Sequence, residues 1–256
     1  MFTRAIVRPP SSNFAAGLTT VDLGSPDYDR AVEQHEAYCS ALERCGLNLT
    51  RLDPDEHYPD STFVEDAAVL TERGGVLTRP GAMSRLGEVA AIAGALTYIY
   101  PEMHSIAKPG TLDGGDVCEA GTHFFIGISE RTNEAGAREL ATVLDLFGYT
   151  SSFVDIRNVK GILHLKSGIA SLSEGHLIVI KELCSRPEFR SFEVVTVPVG
   201  EEYAANCVQV NDLVLVAAGF QQTEQLLQKL GYQTIALEMT EFQKMDGGLS
   251  CLSLRF

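Results

Sequence analysis

Five times along the chain a short polar signature is followed by two apolar runs folded around a turn. FVED precedes AAVLTERGGVLTR, LDGGD precedes VCEAGTHFFIGI, LHLKS precedes GIASLSEGHLIVI, YAANC precedes VQVNDLVLVAA, and GGLSC precedes LSLRF, the last cut short by the C-terminus. With Asp66, Asp116, His164, Asn206 and Cys251 as markers, the steps are 50, 48, 42 and 45 residues. A unit of that length cannot bury its apolar face alone, so repeated units pack against one another. Val, Ile, Leu and Phe flank ERGG, EAGTH, SEGH and VND, which is hairpin chemistry.

Helical periodicity lies between several of the hairpins. Ser25, Pro26 and Asp27 open a stripe of Ala31, His35, Tyr38, Leu42 and Cys45 that Gly46 closes. Leu86, Val89, Ala93 and Leu96 form a second stripe, stopped by Pro101. A third runs through Ala137, Leu140, Leu144 and Phe147 to Gly148, and Leu226, Leu227 and Leu230 with Gly231 mark a fourth. A hairpin, a helix and a returning strand, iterated about five times, predict an α/β fold of radially packed units rather than an open doubly wound sheet. No Pro/Gly/Ser linker or low-complexity tract divides the chain, so residues 1–256 are expected to form a single domain.

The balance of 20 Lys and Arg against 34 Asp and Glu gives a net charge of −14. Nucleic acid and anionic membrane are repelled by such a chain, and a cationic ligand is favoured. The opening MFTRAIVRPPSSN lacks the apolar core of a signal peptide and no later run is long enough to span a bilayer, so a soluble, cytoplasmic protein is expected. Cys39, Cys45, Cys118, Cys184, Cys207 and Cys251 form no CxxC pair, which points to reduced thiols rather than a zinc site or a disulfide framework.

If the units surround an axis, equivalent positions meet there: Glu65 and Asp66, Asp113 and Asp116, His164, Asn206, and Cys251. A thiol, an imidazole and carboxylates together suit covalent chemistry on a cation. Singly, each has an ordinary role: Cys251 as a core thiol, His164 as a core histidine, Asp113 and Asp116 as turn formers, FVED as a strand end. Their shared place in successive repeats favours the functional reading, and the glycines of DGGLSC would bring the backbone to the pocket wall. There is no HxxxH or HxH spacing, and His35, His57, His104, His123 and His176 fall outside the markers, so no metal is expected.

PDSTFVEDAAVL, TRPGAMSR, KPGTLDGGDV, ISERTNEAGARELA, LHLKS, AANC and DGGLSC, in this order from near Leu18 to Cys251, together resemble the dimethylarginine dimethylaminohydrolase (dimethylargininase) family of the guanidino-group-modifying superfamily. The resemblance implies a five-bladed pseudo-symmetric α/β propeller, the pentein fold, built from repeated ββαβ units around a central active site. It implies a hydrolase of carbon–nitrogen bonds in linear amidines, converting asymmetric dimethylarginine and monomethylarginine to citrulline plus dimethylamine or methylamine without metal or organic cofactor. By motif, Cys251 resembles the nucleophile, His164 the general acid/base and Asp113 the carboxylate paired with it, which is Glu in some members. Asp66 resembles the guanidinium-binding carboxylate, with Glu65 and Asp60 in the polar lining. Arg85 and Arg131 match the arginines that grip the substrate carboxylate, and Leu18 comes from a loop over the site.

Leu86 departs from the family pattern, in which a second basic residue often follows Arg85, and this alters local charge near the carboxylate end. The resemblance is compatible with a homodimer. Two alternatives share the constellation. An arginine deiminase or amidinotransferase is one, although deiminases usually carry a helical insertion for which 256 residues leave no room. A catalytically silent binder of arginine-like cations is the other. Preference among methylated arginines depends on pocket width.

Overall fold

A computed structural model describes residues 1–100 and 102–256 and resolves them into five three-stranded sheets. Strand β1 (Arg4–Val7), helix α1 (Tyr28–Arg44) and strand β2 (Asn48–Arg51) come first, with β2 parallel to β1. The second sheet is the antiparallel pair β3 (Ala68–Thr71) and β4 (Gly74–Leu77), then α2 (Glu88–Leu96) and the returning parallel strand β5 (Met103–Ser105). In the third, β6 (Val117–Ala120) and β7 (His123–Ile128) are followed by α3 (Glu134–Leu146) and β8 (Thr150–Asp155). The fourth holds β9 (Ile169–Ser171), β10 (His176–Val179) and β11 (Glu193–Thr196). The fifth holds β12 (Val208–Val210), β13 (Leu213–Ala217), α4 (Gln221–Lys229) and β14 (Gln233–Leu237).

After the short helix α5 (Thr240–Gln243), β15 (Leu254–Arg255) pairs antiparallel with β1, placing Ala5 opposite Arg255 and Ile6 opposite Leu254. The unit that the C-terminus cuts short is therefore completed by the N-terminal strand, helix and returning strand. Pairing of the two chain ends closes the ring and leaves no open first or last unit.

Local sequence explains most elements. The Asp27 carboxylate caps α1 by accepting the Arg30 N–H, and Ala31, His35, Tyr38 and Leu42 lie buried along one face. Asn133 caps α3 in the same way, and Gly46, Gly148 and Gly231 take the positive φ that follows a helix. In α2 the buried residues are Glu88, Ile92 and Leu96, whereas the sequence stripe was Leu86, Val89, Ala93 and Leu96. The rotation has a cause in Arg85, whose guanidinium draws Glu88 inward. The stop at Pro101 lies outside the described residues. The fourth unit has no α-helix between β10 and β11, only two 3₁₀ turns at Lys181–Leu183 and Pro187–Phe189. The connection is short and Pro187 interrupts it; Leu183 and Phe189 fill the space a helix would occupy.

Strand β7 shows how the units interlock. Phe124 and Ile126 on one face pack with Leu140 and Leu144 of α3, while Phe125 on the other packs with Ile178 and Phe189 of the next unit. A strand covered on both faces reads as an apolar run rather than an alternation.

Each hairpin is preceded by a 3₁₀ turn: Val64–Ala67, Gly114–Asp116, Leu165–Ser167, Glu202–Ala205 and Leu249–Leu252. Hydrogen bonds stitch the turns into a closed ring. Gly115 N–H donates to Asp66 Oδ1 (2.8 Å) and Leu165 N–H to Asp116 Oδ1 (2.9 Å). Asn206 Nδ2 donates to the Lys166 carbonyl (2.7 Å), Ser250 N–H to Asn206 Oδ1 (2.9 Å), and Ser250 Oγ to Glu65 Oε2 (2.9 Å). Three of the five repeat markers, Asp66, Asp116 and Asn206, thus tie one turn to the next. Replacing Asp116 by Ala would leave the Leu165 N–H and the Ser129 hydroxyl buried without their acceptor. The expected loss is about 2 to 5 kcal/mol, read as a lower urea midpoint at unchanged slope.

Candidate active site

Cys251 sits in the last of the five turns, its N–H bonded to the Gly248 carbonyl at 3.2 Å. The two glycines before that turn are required by close packing. A Cβ on Gly248 would lie 2.6 Å from Asn206 Oδ1, and one on Gly247 would run into the Phe63 ring. Half-buried, the Cys251 side chain reaches the wall of a narrow cavity at one mouth of the axis.

His164 directly precedes the turn Leu165–Ser167, with extended backbone, and its Nε2 lies 2.9 Å from Asp113 Oδ2. Asp113 is fully buried, accepts the Gly81 N–H on Oδ1 (2.8 Å), and has Arg131 Nη1 at 3.9 Å. Gly115 makes room for the imidazole, since a Cβ there would stand 2.8 Å from His164 Nδ1. Asp66 accepts the Gly115 N–H on one oxygen and Arg85 Nη1 on the other, at 2.5 Å. The Arg85 guanidinium also engages Glu88 and the carbonyls of Asp60 and Phe63. Asp60 accepts the Leu18 N–H at 3.0 Å.

The cavity, about 20 Å³, is lined by Leu18, Asp60, Phe63, Asp66, Arg85, Arg131, Leu163, His164, Met245, Asp246, Gly247 and Cys251. Seven of the nine residues selected from the sequence are therefore on one wall, and Asp113 stands behind His164. Glu65 is placed elsewhere. Its carboxylate takes Lys166 Nζ (2.6 Å) and the Ser250 hydroxyl, with Arg255 at 3.4 Å, and lines a separate channel of about 420 Å³.

Phe63, Leu163, Met245 and Asp246 were not selected from the sequence. Phe63 is the first residue of FVED and Leu163 the first of LHLKS, and Met245 and Asp246 directly precede GGLSC, so position in the repeat could have found them. Asp246 holds φ of 57° and accepts both the N–H (2.5 Å) and the hydroxyl (3.1 Å) of Thr20. With Asp60 on Leu18, this clasps the Leu18–Thr20 segment across the mouth.

Burial disfavours a charged His164, but the neighbouring Asp66, the hydrogen bond to Asp113 and the charge of Asp116 outweigh it and hold the imidazole pKa at about 9. For the Cys251 thiol, burial first and then the charges of Glu65 and Asp66 push the pKa up to about 12, against the opposing pull of Lys166. At neutral pH the pair is thus imidazolium and thiol. Burial also opposes the charge of Asp66, yet His164 and Arg85 hold its carboxyl below the usual range. Ligand atoms of Asp66, Asp113 and His164 lie within 4.8 Å of one another. Asp113 bonds to His164 and the Gly81 N–H, and Asp66 to Arg85 and the Gly115 N–H, so the cluster is held by hydrogen bonds.

The charge on Glu65 reaches the thiol without touching the cavity. Glu65→Gln is expected to lower the Cys251 pKa and raise its alkylation rate by iodoacetamide at pH 8 several-fold, since each unit is about tenfold in thiolate. An unchanged rate would contradict that coupling.

A five-unit α/β propeller with a thiol, an imidazole and carboxylates at one mouth of its axis defines a class of scaffold, and comparison with known proteins places the chain within it. No family model matches the chain. It is 44% identical over 257 residues, covering 100% of both chains, to the N(G),N(G)-dimethylarginine dimethylaminohydrolase of Pseudomonas aeruginosa. A solved structure of the enzyme from that organism, a mutant complexed with citrulline, superposes with a TM-score of 0.97 at 43% identity over 100% of both chains. A dimethylarginine dimethylaminohydrolase adduct with S-methyl-L-thiocitrulline gives 0.96, also at 43% identity over 100% of both chains. The chain belongs to the dimethylarginine dimethylaminohydrolase family.

Proposed function

We propose that residues 1–256 form a single catalytic domain that hydrolyses asymmetric dimethylarginine and monomethylarginine to citrulline and dimethylamine or methylamine. The observation that carries this reading is the meeting of Cys251, the His164–Asp113 pair and Asp66 at one cavity, in a chain whose relatives bear that activity in their names. The substrate guanidinium binds against Asp66, and its positive charge offsets the carboxylates that hold the thiol protonated. The thiol proton then leaves to solvent. The Cys251 thiolate attacks the guanidinium carbon, forming a C–S bond. As the bond to the methylated nitrogen breaks, the His164 imidazolium gives its proton to the departing amine. A thiouronium remains on Cys251. Water attacks its carbon and gives one proton to the now neutral His164; the C–S bond then breaks with its electron pair going to sulfur, the remaining hydroxyl proton passes to that sulfur to restore the thiol, and citrulline leaves.

Arg131 is the arginine offered to the substrate carboxylate, whereas the Arg85 guanidinium is already committed to Asp66, Glu88 and the carbonyls of Asp60 and Phe63 and acts first by holding Asp66 in place. Arg131, whose carboxylate neighbour is 3.9 Å away, is the freer of the two. Asp60 and Leu18 line the mouth, and Glu65 acts through the thiol pKa. The scheme uses neither metal nor organic cofactor. Among the described residues no helix is long and apolar enough to cross a membrane. The reading is of a cytoplasmic enzyme for a small cationic substrate, with no nucleic-acid or membrane partner and compatible with a homodimer; the net charge of −14 supports the cationic ligand.

The test is release of citrulline and dimethylamine from asymmetric dimethylarginine, with free arginine in parallel. Amine from the methylated substrate alone is expected. Ammonia from arginine would instead indicate a deiminase, and tight binding without product a silent binder.

A further inference from the structure

Asn206, like Asp116, is a repeat marker that takes no step in the chemistry. It follows the turn Glu202–Ala205, is 6% exposed, and lies outside the residues that line the cavity. Its amide nevertheless reaches two neighbouring units. Nδ2 donates to the Lys166 carbonyl of the third turn at 2.7 Å and to Ser250 Oγ at 3.0 Å, while Oδ1 accepts the Ser250 N–H at 2.9 Å. Ser250 directly precedes Cys251, and its hydroxyl donates a hydrogen bond to Glu65 Oε2. The backbone before the turn is fixed from the same side, because a Cβ on Gly248 would collide with the Asn206 amide. Both the main chain and the side chain of the residue before Cys251 are therefore held by one amide, which is itself anchored to the turn that follows His164.

We infer that Asn206 is a positioning residue for the nucleophile: its amide sets the place of Cys251 relative to His164 by locking Ser250 to the His164-bearing unit. Only an amide supplies this pattern, since one end must accept a backbone N–H while the other donates to a carbonyl and a hydroxyl. Asp in its place would keep the acceptor for Ser250 N–H but set a carboxylate oxygen against the Lys166 carbonyl. It would also add a negative charge to a site where Glu65 and Asp66 already disfavour the thiolate. Ala would remove all three bonds.

The inference rests on the proposed hydrolysis for its turnover arm, and has a second arm that does not. Asn206→Ala and Asn206→Asp are compared with the parent for three quantities on folded protein: kcat for asymmetric dimethylarginine, the dissociation constant for citrulline, and the pH profile of Cys251 alkylation by iodoacetamide. The expected result is a fall in kcat of about 10- to 100-fold, the scale on which a misplacement of about 1 Å acts. The citrulline dissociation constant should stay within about twofold, and the alkylation profile should shift, more strongly toward alkaline pH for Asn206→Asp than for Asn206→Ala. If the variants lose thermal stability while kcat per folded molecule and the alkylation profile match the parent, Asn206 holds the ring and does not position Cys251. Should the parent fail to turn over dimethylarginine, the proposed function falls, and the alkylation profiles still decide the role of Asn206.

Discussion

Cys251→Ser is expected to bind citrulline as the parent does and to turn over asymmetric dimethylarginine at least about 10⁴-fold more slowly, the order of loss seen when a nucleophile is removed. The reason is chemical rather than structural. A serine hydroxyl ionises far less readily than a thiol, and the same burial and carboxylates that raise the thiol to about 12 would raise it further. The turn carrying residue 251 is held by the Gly248 carbonyl and by the Asn206 bonds to Ser250, none of which involves the sulfur. Fold and ligand affinity should therefore survive, as isothermal titration with citrulline would show. Activity within tenfold of the parent would remove Cys251 from the role of nucleophile.

His164→Gly is expected to lower kcat by at least about 10³-fold, the upper part of the range for general acid–base catalysis with a leaving group that needs a proton. In the parent, kcat should fall as pH rises through about 9, where the imidazolium is lost, and the variant should lack that limb. A stability signature accompanies it. The folded protein binds this proton more tightly than the unfolded chain, whose histidine titrates near 6.5. The contribution is thus complete below about 6.5 and is lost as pH rises through about 9. Thermal scans between pH 6.5 and 9.5 should show the parent losing more stability than the variant. A variant with the same alkaline limb as the parent would exclude His164 as the acid.

The repeat was legible because the turn residues, hairpin runs and helical stripes recur at similar offsets, and the five sheets follow them. What the sequence did not disclose arose from pairing across units. The charge of Glu88 marks it for solvent until Arg85 is seen to bury it; a stripe argument built on apolar residues alone finds Leu96 and Val89, which do pack in the core, but misses Glu88 and Ile92 at its centre. Glu65 and Asp66 are neighbours in FVED, but the 3₁₀ turn sends the first toward Lys166 and the axial channel and the second into the cavity. Asn206 and Asp116 share the repeat position of His164 and Cys251 yet face neighbouring turns. Repeat position brings a residue to the axis; the bonds between turns decide which side chains are left to do chemistry.

The central chemistry is covalent, and the most direct test is to quench parent enzyme and His164→Gly during reaction with asymmetric dimethylarginine and map the modified peptide by mass spectrometry. A thiouronium on Cys251, transient in the parent and persistent in the variant, is the expected result. Citrulline formed at full rate with Cys251 unmodified at every quench time would contradict it and leave direct attack by water as the route.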